Sequence, residues 1–147
     1  MAHTLRTSFV LPLAGLVIIA GAVTARTLAA EPAQTSARWT IPANAAEEVN
    51  PLPANAATLA GGKRLYTSKC EHCHGPAGKG DGPDADPNYA ADMDLTNAAR
   101  AARNPDGVMF YKVWNGRLNP KMPAFSEELT KEQAWAIVAY AKSLRGQ

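Results

Sequence analysis

Cysteine and histidine are scarce in this chain, and most of the few that it has lie close together. The 147 residues include two cysteines and three histidines, and neither type occurs after residue 74. A structural zinc site normally takes four cysteine or histidine ligands, so the sequence argues against zinc. The same scarcity leaves little to serve as a general base, and we do not expect an enzyme.

A strong charge of either sign is also missing. The chain has fifteen basic and thirteen acidic residues; Glu31 is the first acidic residue, whereas Arg6 and Arg26 precede it. Without its first 30 residues the chain would therefore be formally neutral. Domains that bind nucleic acid usually show clustered basic residues and a pI above about 9. We therefore expect no nucleic-acid partner.

Alternating apolar and polar residues, the pattern of a half-buried strand, are absent between residues 75 and 100. This stretch is rich in glycine, proline and aspartate, and it is predicted to be a long loop. Helical patterns lie on both sides of it.

Three helices are predicted from these patterns. The first is capped by Thr58 and runs to the cysteines, and the second begins near Pro105 and ends at Gly116. The third starts with a capping box of Thr130 and Gln133 and carries an apolar stripe. The stripe comprises Ala134, Ile137, Val138, Ala141 and Leu144. The sequence therefore predicts an all-α domain over residues 58–147.

The N-terminal 30 residues are predicted to direct export. Residues 9–25 form an uncharged, mostly apolar run behind a short basic start. The run is longer than the usual signal-peptide core of about 7 to 15 residues and slightly shorter than the roughly 18 to 20 of a membrane span. Residues 1–30 are therefore either a cleaved signal peptide or a retained membrane anchor. Both place the rest of the chain in the periplasm or on the outer face of the cytoplasmic membrane.

Residues 31–57 contain four prolines and are rich in alanine and asparagine. This composition favours a linker or extended arm that is mostly solvated. Trp39 and Ile41 are the sizeable apolar pair in its first half, and they are the residues that could dock on the domain.

Residues 70–74 read Cys-Glu-His-Cys-His, the C-x-x-C-H pattern of covalent haem attachment. Cysteines three apart on a helical turn point to one side and can bond the two haem vinyl groups, while His74 reaches the iron. A redox-active dithiol also uses C-x-x-C, but it belongs to a strand–helix–strand setting that is missing here. The motif therefore predicts one haem c bound by Cys70, Cys73 and His74.

The sixth ligand of the iron is expected to be a methionine. His3 lies in the N-terminal segment, and His72 is tied to the attachment side of the haem, so a second histidine ligand is nearly excluded. Methionine opposite histidine suits an electron-carrying haem and raises its reduction potential.

Met122 is the preferred sixth ligand because Pro120 and Pro123 flank it and stiffen its backbone. Met93, which lies in a loop close to the motif, is one alternative, and an iron with no sixth protein ligand is another. Met109 falls within an apolar helical run and is interpreted as a core residue.

These features resemble the small monohaem class I cytochromes c over residues 58–146. The matching segments are the first helix, CEHCHG, the GKGDGP loop, DLT at 94–96, the MPAF loop at Met122 and the final helix AIVAYAKSL. The resemblance implies a cytochrome c-like helical domain wrapped around one covalently bound haem. It also implies a close crossing of the first and last helices, with Gly62 and Tyr66 placed opposite Ile137 and Tyr140.

The function that follows is periplasmic electron transfer with redox partner proteins as donor and acceptor. One alternative is a haem c subunit of a membrane oxidoreductase or of a quinoprotein dehydrogenase, with residues 9–25 as a possible membrane tether. Another is a haem that binds or senses a gas, which would require Met122 to be loosely bound or absent from the iron.

Overall fold

The computed structural model describes residues 39–119 and 121–146, and helices are the main regular elements of this part of the chain. Within these two ranges there is no β-strand, and the extended pairings are isolated bridges between Lys79 and Asp94 and between Arg117 and Met122. The α-helices are α1 (Ala56–Lys69), α2 (Glu71–His74), α3 (Ala90–Met93), α4 (Ala98–Ala101), α5 (Asp106–Asn115) and α6 (Lys131–Ser143). Short 3₁₀ helices cover Ala43–Glu47, Pro87–Tyr89 and Leu144–Gly146.

Helix α1 begins three residues earlier than the sequence predicts. Its N-cap is Asn55, whose side-chain oxygen accepts a hydrogen bond from the Thr58 backbone N–H at 2.9 Å. The prediction that Thr58 is the N-cap of α1 is wrong. Asparagine and threonine are both good caps, so the sequence alone offered two starting points.

The two later helices are as the sequence predicts. Pro105 caps α5, and Gly116 ends it with a φ of +58°. Thr130 and Gln133 form the capping box of α6. The whole predicted apolar stripe of α6 and its extension is buried: Ala134, Ile137, Val138, Ala141 and Leu144.

Helices α1 and α6 cross at a glycine. A Cβ on Gly62 would clash with the backbone carbonyl of Ala136 and lie 2.8 Å from the Cβ of Tyr140. The rings of Tyr66 and Tyr140 meet edge to face with centroids 5.2 Å apart. The close crossing implied by the resemblance is therefore present, with the backbone at Ala136 as the contact of the glycine.

The arm before α1 is attached to the helical body rather than solvated along its length. Ala45 is buried, and the Glu48 carbonyl accepts a hydrogen bond from the Gly107 N–H at 3.1 Å. The Asn50 side chain donates to the carbonyl of Trp135 at 2.9 Å. Most other side chains in the described part of the arm are exposed, as its composition predicts. The division of the chain at residues 30 and 57 stays a prediction.

The predicted long loop between residues 75 and 100 is more regular than expected. It contains α3, the start of α4 and a 3₁₀ turn. Asp86 and Asn97 cap two of these elements by accepting hydrogen bonds from Asn88 N–H and Arg100 N–H. Such single turns depend on local capping and have no apolar periodicity of their own, so the pattern search missed them.

No helix in the described part of the chain is both long and apolar enough to cross a membrane. The predicted signal or anchor at residues 1–30 lies outside the described residues.

Candidate functional site

One large cavity brings the predicted haem residues together. Its volume is about 1120 Å³, and Cys70, Cys73, His74 and Met122 all line it. Cofactor sites commonly occupy roughly 300 to 1000 Å³, so the space suits a large planar group. The assignment of these four residues as ligands stays a prediction, but the fold places them around a single space.

The attachment motif forms one helical turn at the end of α1. Cys70 ends α1 and also caps α2, and its carbonyl accepts hydrogen bonds from the N–H groups of Cys73 at 3.2 Å and His74 at 2.9 Å. These bonds hold the two sulfurs and the imidazole in a fixed relation to the α1 axis. Both cysteines are half-buried and neither is in a disulfide.

The electrostatics of the thiols argue against a redox-active dithiol. Burial, and secondarily the neighbouring Cys73, raises the pKa of Cys70 to about 12. Burial and Asp84 also raise the pKa of Cys73. Reactive dithiols need a lowered thiol pKa to supply thiolate at neutral pH. These two thiols are therefore poorly suited to disulfide exchange.

His74 is oriented by a backbone carbonyl. Its Nδ1 donates a hydrogen bond to the carbonyl oxygen of Met93 at 2.7 Å. Because Nδ1 carries the proton, the lone pair of Nε2 is available to a metal. Burial lowers the pKa of His74 and the bond to Met93 opposes this, so the neutral ring that a metal requires is favoured.

The Met122 loop is shaped by its backbone. Arg117 and Met122 exchange two backbone hydrogen bonds of 2.8 and 2.9 Å, and the Phe125 N–H donates to the Val113 carbonyl at 3.1 Å. A Cβ on Gly116 would lie 2.5 Å from the Met122 carbonyl, so only glycine fits this turn. The loop is thereby fastened to the end of α5. Pro120, one of the two prolines expected to stiffen it, lies outside the described residues.

Two other methionines also line the cavity. Met109 is 7% exposed and packs in the core with Trp135 and Val138, as expected, while its sulfur lies 2.9 Å from a guanidinium nitrogen of Arg145. Met93 ends α3, and the sequence points only to its sulfur as a possible ligand. Its carbonyl bond to His74 was missed, because no sequence pattern reports a backbone contact between distant segments.

A cationic group also borders the cavity, and Trp39 of the arm lies against it. The cations are Arg100, Arg103, Lys112 and Arg117. The sequence gives no signal for Arg100, Arg103 or Lys112, since isolated basic residues are usually surface groups.

The helical part of the chain is similar to known proteins. Residues 59–145 match the model of the Cytochrome c family. No curated protein matches the chain. Among solved structures, a chain of the Kuenenia stuttgartiensis reducing HAO-like protein complex Kustc0457/Kustc0458 is 28% identical with a TM-score of 0.52, over 64% of this chain and 46% of that chain. The KustC0563 c-type cytochrome is 26% identical with a TM-score of 0.47, over 58% of this chain and 94% of its own.

Proposed function

We propose, because the chain belongs to the cytochrome c family, that it carries single electrons between redox proteins through one haem c with His74 and Met122 as axial ligands. The family match covers residues 59–145, more than half of the chain, and electron transfer through covalently bound haem c follows from it. When bound, the haem supplies one-electron exchange between ferrous and ferric iron. The observation that carries the proposal is the single cavity lined by all four predicted residues.

The chain's own residues divide the work of holding the group. Cys70 and Cys73 would form the thioether bonds, and the shared turn of α1 and α2 fixes their direction. His74 presents Nε2 because the Met93 carbonyl holds its other nitrogen. This hydrogen bond would hold the ring in one orientation in both oxidation states of a bound iron.

Met122 is favoured over Met93 by the position of the Met93 backbone. The Met93 carbonyl lies against Nδ1 of His74, which is the side of the ring that faces away from the iron. A residue anchored behind the proximal histidine is poorly placed to reach the opposite face of the haem. Met122 lies on a separate loop between α5 and α6 and packs beside Val113, Phe125 and Ile137.

The proposed location is the periplasm or the outer face of the cytoplasmic membrane. Support comes from the basic start and the apolar run of residues 9–25 in the sequence. The proposed partners are redox proteins that donate and accept electrons in brief complexes.

A second candidate is a fixed haem subunit of a larger oxidoreductase. It is favoured by the similarity to a chain whose title names a protein complex, and the match spans less than half of that longer chain. Purification of the native protein distinguishes the two: a soluble monomer supports the mobile carrier, and co-purification with a larger redox protein supports the subunit.

The test of the proposed function is the intact mass of the native protein together with its visible spectrum. We expect a mass increase of one haem that survives denaturation, and a ferric charge-transfer band typical of sulfur-to-iron ligation. A ferrous protein that binds carbon monoxide readily and lacks this band in its ferric form would contradict methionine ligation and support the gas-binding alternative.

A further inference from the structure

The arm before α1 contributes a residue to the cavity from outside the family match. Trp39 lines the cavity, whereas the match begins at residue 59. The arm is held on α5 and α6 by the Glu48 carbonyl, the Asn50 side chain and the buried Ala45. Its attachment makes Trp39 part of the site rather than part of a tether.

The Trp39 ring lies against two cations that also line the cavity. The Nζ of Lys112 is 5.3 Å from the ring centroid, and the Cζ of Arg117 is 4.8 Å from it. Cations within about 6 Å of an indole face are attracted to it. The side chain of Lys112 is further held by a hydrogen bond to the Asn104 side chain. The ring therefore contacts both cations, and Asn104 fixes the position of Lys112.

The charge around Lys112 is unbalanced among the described residues. Arg100, Arg103 and Arg117 all act on it as like charges, and Asp92 is the carboxylate that opposes them. Asp92 is itself bonded to the guanidinium of Arg100. Burial first, and then Arg117 and Arg100, lower the pKa of Lys112 to about 8. An anion placed in the cavity would relieve this repulsion.

We propose that Lys112 and Arg117, held in place by Trp39, bind the carboxylates of the haem, so that the arm is a functional part of the haem site. This inference rests on the proposed function, since it requires the haem. The vinyl and carboxylate groups of haem lie at opposite edges of the ring, so bonds to Cys70 and Cys73 would direct the carboxylates away from the attachment segment.

The distribution of charge along the cavity wall fits this orientation. Close to the attachment segment the wall carries Asp84, Asp86 and Lys69, and Lys69 is paired with Glu128. The Asp84 carbonyl lies 3.7 Å from the sulfur of Cys73. The cations held by Trp39 come from α5 and the turn that follows it. With the vinyl edge bonded to the cysteines, the two haem carboxylates would face Lys112 and Arg117.

A consequence for the reduction potential follows. A cation beside the haem disfavours the additional positive charge of ferric iron, and the effect is large in a poorly solvated site. Removing Lys112, or the Trp39 ring that positions it, should therefore favour the ferric state and lower the potential.

The experiment compares holoprotein variants by spectroelectrochemistry and by resonance Raman of the carboxylate bending modes. The variants are Lys112→Met, Trp39→Ala and Trp39→Phe, and the matched control is Lys63→Met, an exposed lysine of α1 that does not line the cavity. We expect Lys112→Met to reduce the equilibrium constant for haem reduction by about three- to tenfold, where tenfold corresponds to 59 mV for one electron. Trp39→Ala should act in the same direction by a smaller factor, and Trp39→Phe should restore most of the loss.

The outcomes separate this inference from the proposed function. If the potential and the carboxylate bands of either Lys112→Met or Trp39→Ala match those of Lys63→Met, the inference is overturned. A purely structural arm would lower the melting temperature of Trp39→Ala but leave both readouts unchanged, which also overturns it. Absence of the sulfur-to-iron band from the unmutated protein would refute methionine ligation but not this inference. The carboxylate bands do not depend on the sixth ligand.

Discussion

The backbone carbonyl of Met93 accepts a hydrogen bond from Nδ1 of His74 at 2.7 Å. Met93 therefore orients the His74 ring through its backbone and not through its side chain. The sulfur and the carbonyl of one residue can therefore be tested separately, because a substitution changes the side chain and keeps the carbonyl.

The first prediction concerns the sixth ligand. Met122→Ala should leave the haem attached but remove the sulfur-to-iron band and open the iron to carbon monoxide, because no thioether then reaches the iron. Met93→Ala is the matched variant and should keep the band, since the carbonyl that orients His74 remains. The opposite result, with the band kept in Met122→Ala and lost in Met93→Ala, would move the ligand to Met93.

The second prediction uses the adjacent glycines of α1. Gly62→Ala should lower the free energy of unfolding by about 2 kcal/mol or more, because the new methyl group meets the Ala136 carbonyl. Gly61→Ala is the control: the nearest atom to its new methyl is a guanidinium nitrogen of Arg64 at 3.9 Å. It should raise stability by about 0.5 to 1 kcal/mol, since alanine favours a helix over glycine.

Thermal unfolding followed at the haem band would measure both glycine variants. A change of about 1 kcal/mol shifts the melting temperature of a domain this size by roughly 4 to 8 °C. Equal effects of the two substitutions would contradict the close crossing of α1 and α6.

The third prediction concerns the attachment of the arm. Asn50→Ala should cost about 1 kcal/mol of stability, because the bond to the Trp135 carbonyl is lost and the arm is held less firmly. Asn44→Ala, at an exposed position of the same arm, should have a smaller effect on chemical denaturation. If both variants unfold at the denaturant concentration of the unmutated protein, the arm does not contribute to stability through Asn50.

The fourth prediction is a pH dependence at the turn after α3. Hydrogen bonds from the Thr96 hydroxyl, from the Thr96 N–H and from the Asn97 N–H lower the pKa of Asp94, although partial burial opposes them. Because the folded pKa lies below the unfolded value near 3.9, the carboxylate stabilises the fold above that value. This contribution is lost as the pH falls through the folded pKa.

Urea unfolding at pH 7 and at progressively lower pH would measure this effect. Asp94→Asn should be less stable than the unmutated protein at pH 7 and should approach it in acid. Glu127→Gln, an exposed carboxylate of the loop before α6, serves as the control. A constant difference across the pH range would argue against a role for the ionised Asp94.

The sequence predicts features whose causes are local. The capping box at Thr130 and the stop at Gly116 depend on residues within one turn, and both helix ends were predicted correctly. The predicted start of α1 is three residues too late, because Asn55 and Thr58 have similar capping chemistry. Capping preferences alone do not distinguish between two good N-cap residues that lie this close together.

Contacts between distant segments could not be predicted in the same way. The bond from His74 to the Met93 carbonyl depends on how the loop between them folds, and its acceptor is a backbone atom that every residue possesses. Trp39 was recognised as a residue that could dock, but the choice of Lys112 and Arg117 as its neighbours required the packing of the arm on α5. Residue types alone predict such contacts only where they form a specific motif, as Cys70 and Cys73 do.

The turn that begins at Gly116 has a consequence for protein engineering. Backbone hydrogen bonds between Arg117 and Met122, together with the bond from Phe125 to Val113, hold the loop through atoms that every residue has. These bonds would remain after a substitution at position 122, where the sixth ligand is proposed. Substituting histidine or lysine at this one position offers a route to redesigning the potential of the carrier while the helices and the attachment turn stay as they are.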